Sequence, residues 1–182
     1  MMKRLIYIAT ILALVPGSIF AAGLGISNGQ DLDQLWAQAQ QNFDIEQEDC
    51  ILLLESLEVS LNDDRSLSTR VHRVVWIGTS VGVRRYADLR IPWNSATSEL
   101  KVEKLRTWRE DRWWPHAENI SETAVVHTLP YAVNRADDYT TMRETMLLHD
   151  GVELGCIMET AYTITEQNVP GAGGLFVFAQ DD

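Results

Sequence analysis

The sequence predicts an all-β protein, an antiparallel β-sandwich preceded by a signal peptide and one short amphipathic helix. After residue 50, several short runs alternate apolar with polar residues, and residues typical of turns separate these runs. Only residues 31–43 repeat their apolar side chains at helical spacing. Many short strands with little helix are typical of two packed antiparallel sheets.

The first 23 residues have the three parts of a cleavable secretory signal. A basic start at residues 3–4 is followed by an apolar run over 5–20 and by small residues at 21–23. Pro16 interrupts the apolar run, which is shorter than the roughly 20 residues that a membrane-spanning helix needs. We therefore predict cleavage after Gly23 and a periplasmic or secreted protein that is free of the membrane once the signal is removed.

The remainder predicts one acidic domain, with a short helix and an acidic linker over 24–49 and the sandwich over 50–182. The whole chain has a formal charge of −11, and loss of Lys3 and Arg4 with the signal makes it −13. Such a charge repels nucleic acid and disfavours anionic lipid headgroups. It is compatible with a cationic ligand, although solubility is the simpler explanation.

The helix is predicted to begin at Asp31, which can cap it. Its apolar side is formed by Leu32, Leu35, Trp36, Ala39 and Phe43. An acidic stretch, residues 44–49, follows as a linker or exposed turn.

The strands are predicted in order from the period-two alternation. A hairpin covers 51–61 and 67–77 around Asn62-Asp63-Asp64, and alternation resumes over 83–93 and 100–105. A tight turn at Glu110-Asp111-Arg112 then returns into Trp113 and Trp114. Residues 115–138 are polar and irregular, and the clearest strand covers 154–164. Cys156 points inward in this last strand.

Cys50 and Cys156 are the two cysteines of the chain. An exported protein lies outside the reducing cytosol, so the pair can form a disulfide. Two buried free thiols are the alternative, and the sequence leaves both open.

The residues predict no catalytic site, no metal site and no cofactor. Cys50 follows an acidic run and Cys156 lies on an apolar strand face, whereas a catalytic thiolate needs an electropositive setting. The four histidines lack the close spacing of metal ligands, and no CxxC pair, GxSxG or phosphate-binding loop is present. An active site within 116–138 is the least favoured interpretation, because that stretch offers no nucleophile paired with a base.

Trp108, Arg109, Trp113 and Trp114 form the most unusual local group and are the candidate binding residues. Exposed indole rings can stack on sugars or hold a peptide. Tryptophans on both sides of a hairpin more often fill a core or cover its edge, so packing is the favoured interpretation and ligand binding the alternative.

Four segments carry a resemblance to a known family. They are Ile51–Glu55, Arg70–Trp76, Tyr86–Trp93 and Leu154–Tyr162. Over roughly residues 50–178 the chain resembles a bacterial domain of unknown function that lies N-terminal to transglutaminase-like domains in exported proteins. The resemblance implies a fold and no active-site residue, because the Cys-His-Asp chemistry would belong to a downstream transglutaminase-like domain.

We therefore expect a non-catalytic exported domain that presents a substrate or partner to a transglutaminase-like or peptidase-like module. The expected partners are such a domain, another protein or a cell-envelope polymer. The alternative is a self-contained binding module for cell-envelope glycans or peptides that uses the tryptophan group.

Overall fold

A computed structural model describes residues 29–114, 120, 124–131 and 140–167. The predicted signal peptide (1–23) and the last apolar run of the chain lie outside these residues, so the cleavage site stays a prediction. Within the described residues, neither helix reaches the length and apolarity that a bilayer-spanning helix requires.

The described residues form two helices and eight strands. In chain order they are α1 (Gly29–Asn42), β1 (Cys50–Leu61), β2 (Leu67–Ile77), α2 (Ser80–Tyr86), β3 (Asp88–Asn94), β4 (Ser98–Arg109), β5 (Arg112–Trp114), β6 (Val125–Thr128), β7 (Met142–Leu148) and β8 (Ile157–Glu166). One sheet has the order β1-β2-β8-β4-β5 and the other the order β3-β7-β6, and every pairing is antiparallel. The prediction of an all-β antiparallel fold is confirmed.

The five-stranded sheet is covered on both faces. One face packs against α1, where Leu32 and Ala39 of the helix meet Val74, Trp76 and Ile157 of the sheet. The opposite face packs against the three-stranded sheet, and the core between the two sheets is centred on Ile91, Leu105 and Leu147. Successive residues of the central strands point in turn to α1 and to the three-stranded sheet, so side chains on both faces are buried, as the middle layer of a three-layer fold requires.

The β1–β2 hairpin turns at the predicted residues. The Asp64 carboxylate accepts hydrogen bonds from the backbone N–H of Ser66 at 2.9 Å and from its hydroxyl at 2.6 Å. The Asn62 amide donates to the same hydroxyl at 2.8 Å. Short polar side chains that bond the backbone in this way are what make such a triplet a turn.

A β-bulge in β4 explains an irregularity of the sequence pattern. Leu100, Val102 and Leu105 all face the core between the sheets, although the last step is three residues rather than two. The register against β8 shifts between Val102 and Lys104. The extra residue at the bulge shifts the alternation by one, so that Leu105 faces the same side of the sheet as Leu100 and Val102.

Three elements differ from the sequence interpretation. The alternation of apolar and polar residues that was predicted from Val83 begins only at Asp88, because Ser80–Tyr86 form α2. Thr79 caps this helix by accepting a hydrogen bond from the N–H of Val81 at 3.2 Å. β6 lies within a stretch interpreted as irregular, and β7 was not predicted. The inward face of β7 carries a polar residue, Thr145, which is fully buried and accepts a hydrogen bond from the Trp93 indole at 2.9 Å.

The strand predicted over 154–164 begins later, at Ile157. Gly155 has a φ of 85°, which ends the extended backbone there, and Leu154 is 62% exposed rather than inward. Cys156 is buried as predicted.

The disulfide that the sequence allowed between Cys50 and Cys156 is not formed, and both are free thiols. Cys50 pairs with Ile77 on one side, and the backbone of Ile77 is bonded to that of Cys156 on the other. One strand therefore separates the two cysteines, which places their Cα atoms about 10 Å apart. A disulfide needs Cα atoms within about 7 Å, so this register prevents the bridge.

We predict that the purified chain carries two reactive thiols after unfolding without reductant. Alkylation with iodoacetamide in guanidinium chloride, followed by intact-mass measurement, should add two carbamidomethyl groups. Prior reduction should leave this result unchanged. A mass that gains the two groups only after reduction would contradict the register.

Candidate functional site

A pocket of about 310 Å³ opens on the α1 side of the five-stranded sheet, beside the β4–β5 turn. Three indole rings line it, those of Trp36, Trp76 and Trp108, and three carboxylates lie at it, those of Asp33, Glu110 and Asp111. The other lining residues are Leu32, Arg109, Gly155 and Ile157. We call this site the aromatic pocket.

The strand register brings the tryptophans of the aromatic pocket together. Ile157 of β8 pairs with Trp76 of β2 on one side and with Trp108 of β4 on the other. Residues that pair across neighbouring strands lie on the same face. The two indoles therefore stand on the α1 face, and Trp36 of the helix packs on Trp76 with ring centroids 5.4 Å apart.

The β4–β5 turn holds Glu110 and Asp111 in left-handed backbone conformations, with φ values of 51° and 56°. A two-residue hairpin turn of this kind usually contains Asn-Gly, because other residues are strained when φ is positive. Here the turn has two acidic residues instead. They place two exposed carboxylates at the aromatic pocket.

The predicted binding residues divide between the two faces of the sheet. Trp108 lines the aromatic pocket, and Trp113 packs edge-to-face on it with centroids 5.2 Å apart. Trp114 pairs with Thr107 and so lies on the opposite face, where the Cζ atoms of Arg109 and Arg112 lie 4.5 and 4.1 Å from its ring centroid. All three tryptophans are half-buried, so packing and ring exposure coexist.

Sequence reasoning missed Trp36 and Trp76 as site residues, together with Asp33. Trp36 was assigned to the apolar side of the helix and Trp76 to a strand, and both assignments are correct. Their meeting with Trp108 depends on β8 inserting between β2 and β4. No local signal in the sequence shows that strand order.

A buried carboxylate network lies beside the aromatic pocket on the same face. The side chain of Glu159 is fully buried, and its Oε1 lies 2.8 Å from Nε2 of His72 and 3.0 Å from Nζ of Lys104. Its Oε2 accepts a hydrogen bond from Nε of Arg106. Burial alone raises the pKa of Glu159, but the His72 hydrogen bond and the charge of Arg106 outweigh it and lower that pKa to about 2.

Arg106 connects this network to the aromatic pocket. Its guanidinium binds Glu159 and also lies over the ring of Trp113, 4.0 Å from the centroid. Trp113 in turn packs on Trp108. The network therefore positions one wall of the pocket through two contacts.

The titratable groups do not form an activated nucleophile among the described residues. Burial raises the pKa of the Cys50 and Cys156 thiols, which keeps them protonated. Burial also lowers the pKa of His149 to about 4, against a hydrogen bond with the backbone of Arg106, and its Nε2 bonds the Thr160 hydroxyl at 2.8 Å. Over the described part of the chain, no group of three or more His, Cys, Asp or Glu residues could hold a metal ion.

Residues 63–182 match the model of DUF3857, a domain of unknown function with a solved structure. The chain belongs to the DUF3857 family. The match covers about two thirds of the chain and begins in the β1–β2 turn, so it agrees with the resemblance predicted over residues 50–178. No curated protein matches this DUF3857 domain significantly.

One solved structure shares the fold. It is that of a putative protease from Parabacteroides distasonis ATCC 8503, with a TM-score of 0.58 and 22% sequence identity. The alignment covers 65% of this chain and 23% of the other. The aligned part of this chain therefore corresponds to about a quarter of that protein's length.

We predict that Glu159→Gln lowers the free energy of unfolding by about 3 kcal/mol, because it leaves the buried His72 and the partly buried Lys104 and Arg106 without the carboxylate that they bond. Urea denaturation at pH 7 measures this. Glu103→Gln is the matched control, because the partly exposed Glu103 also bonds an arginine, Arg70, at 2.7 Å, and its loss should cost less than about 1 kcal/mol. Equal losses in the two variants would contradict the role assigned to Glu159.

We predict that stability falls as the pH falls from 6.5 to 4, partly through His149. The unfolded chain takes up a proton on this histidine near pH 6.5, whereas the folded chain does so only near pH 4. His149→Gln should remove part of this slope, on the order of 1 kcal/mol across the window. Denaturation at several pH values tests this, and a slope that is the same in His149→Gln as in the unchanged chain would contradict the assignment.

Proposed function

We propose that this DUF3857 domain is a non-catalytic exported module that holds a substrate or partner in the aromatic pocket. In a longer protein it would present that ligand to a transglutaminase-like or peptidase-like domain, in the periplasm or outside the cell. The aromatic pocket carries this proposal, because the described residues of its lining offer rings and carboxylates but no thiol, hydroxyl or imidazole. Such a lining supports binding rather than acyl transfer.

The comparison with the Parabacteroides protein supports the proposed arrangement. That protein is named a protease only provisionally, and more than three quarters of its chain lies outside the shared fold. A fold shared over so small a part of a larger chain is consistent with an accessory role. We extend this role to the present domain, with the chemistry assigned to another domain.

A second candidate is a self-contained binding module for cell-envelope glycans or peptides. The partly exposed indole rings of Trp36 and Trp108 favour it, since such rings stack on sugars as well as on peptide groups. This candidate uses the same pocket. It differs in needing no downstream domain.

We predict that the chain retains fragments of a bacterial peptidoglycan digest without altering them. The immobilised chain is exposed to the digest, and bound fragments are eluted and compared with the input by mass spectrometry. The Trp108→Ala variant should retain at least about tenfold less of the fragments, because the substitution removes a wall of the aromatic pocket. Trp93→Ala is the control, since Trp93 lies in the three-stranded sheet, outside the pocket.

The outcomes separate the candidates. Retention of peptide-bearing fragments supports presentation to a processing domain, whereas retention of glycan chains without peptide would favour the self-contained module. Cleaved fragments in the eluate would contradict a non-catalytic role. Retention by Trp108→Ala equal to that of the unchanged chain would contradict the assignment to the aromatic pocket.

A further inference from the structure

We propose that the aromatic pocket recognises a protonated amine, such as the side-chain ammonium group of a lysine in a peptide. This inference rests on the proposed binding function and names its ligand class. The observation behind it is the juxtaposition of three indole rings with three carboxylates at one pocket.

The rings of Trp36 and Trp108 are partly exposed at the aromatic pocket and available to a cation, whereas Trp76 is buried and packs against Trp36. Tryptophan attracts cations most strongly among the aromatic side chains, through the negative faces of its ring system. Two of the tryptophans outside the pocket already hold intramolecular cations, Arg106 over Trp113 and both Arg109 and Arg112 over Trp114. Among the described residues, no cation lies over Trp36, Trp76 or Trp108.

The carboxylates of the aromatic pocket are also available. Asp33 and Asp111 are exposed, and neither has an ion-pair partner within the described part of the chain. Glu110 has one, Arg112, at 3.3 Å, and both side chains are solvent-exposed. Such surface pairs are weak, so Glu110 can also turn toward a bound cation.

Arg109 is the positively charged residue of the lining, but its guanidinium is engaged elsewhere. Its Cζ lies over Trp114, on the opposite face of the sheet, and its Nη1 bonds Glu153 at 3.3 Å. A Cβ atom on Gly151 would lie only 3.1 Å from the same guanidinium, which shows how closely the group packs there. The charge that remains at the aromatic pocket is therefore negative.

Size and charge together favour an amine over other ligands. A pocket of about 310 Å³ is at the lower limit for small-molecule sites, and so suits one side chain better than a long glycan. The carboxylates would repel a phosphate or a carboxylate. A neutral sugar would gain from the rings but would leave the negative charges without a counter-charge.

The test compares three probes that differ at one group. These are Nα-acetyl-lysine amide, its Nε-acetylated derivative and Nα-acetyl-norleucine amide, each titrated into the full chain and followed by tryptophan fluorescence. We expect the charged probe to bind at least about tenfold more tightly than either neutral one. We also expect its affinity to fall as salt is added, because the carboxylates are exposed.

Asp111→Asn is the variant that tests the carboxylates. Asn tolerates the positive φ of position 111 at least as well as Asp, so the turn should remain intact. We expect a loss of about threefold to tenfold in affinity for the lysine probe, with the melting temperature unchanged. Glu99→Gln removes the same charge from an exposed position of β4 outside the pocket and should leave the affinity unchanged.

Equal affinities for the charged and neutral probes would overturn the amine inference. The proposed binding function would still stand if Trp108→Ala abolished both. If no probe bound and the peptidoglycan digest also left nothing on the chain, the proposed function itself would fail. Affinity for the lysine probe that is equal in Asp111→Asn and Glu99→Gln would overturn the role of the turn carboxylates.

Discussion

The fold depends on the neutralisation of one buried charge. Glu159 is the third residue of β8, the strand that pairs with β2 on one side and β4 on the other, and its side chain is fully buried. An isolated carboxylate there would cost several kcal/mol. β2 supplies His72, and β4 supplies Lys104 and Arg106, so both neighbours of the central strand must be in register before the charge is satisfied. The network therefore disfavours slipped registers, as a specific polar contact in a core can.

The same register sets the geometry of the aromatic pocket. Trp76 and Trp108 pair with Ile157, two residues before Glu159, so a one-residue slip that separated the charges would also turn the indoles to the other face. Arg106 adds a direct connection, because it binds Glu159 and supports the ring of Trp113. The three indoles of the site are consequently held by two strands and a helix rather than by loops, which favours rigid aromatic walls, whereas Glu110 and Asp111 lie in the β4–β5 turn.

The sequence predicted the parts of the fold that local patterns determine. The amphipathic side of α1, the β1–β2 hairpin and the inward direction of Cys156 follow from periodicity and turn residues. β7 was missed because its buried residue Thr145 is polar, and its hydrogen bonds come from β3 and β6. Among the residues of the aromatic pocket, Trp108 was predicted as a binding residue, because it lies in the unusual group with Arg109, Trp113 and Trp114. Trp36 and Trp76 were not, because only strand order brings them to Trp108.

Two sets of carboxylates lie on the α1 face of the sheet, and their surroundings give them different roles. Glu159 is closed off from water, so fixed side chains must be its partners, and His72, Lys104 and Arg106 take this role. Asp33 and Asp111 lie in water and pay no such desolvation cost, so the fold needs no partner for them. A ligand cation can therefore use their charge without displacing a structural contact. This difference in burial separates the charge that holds the domain together from the charge that the proposed amine would use.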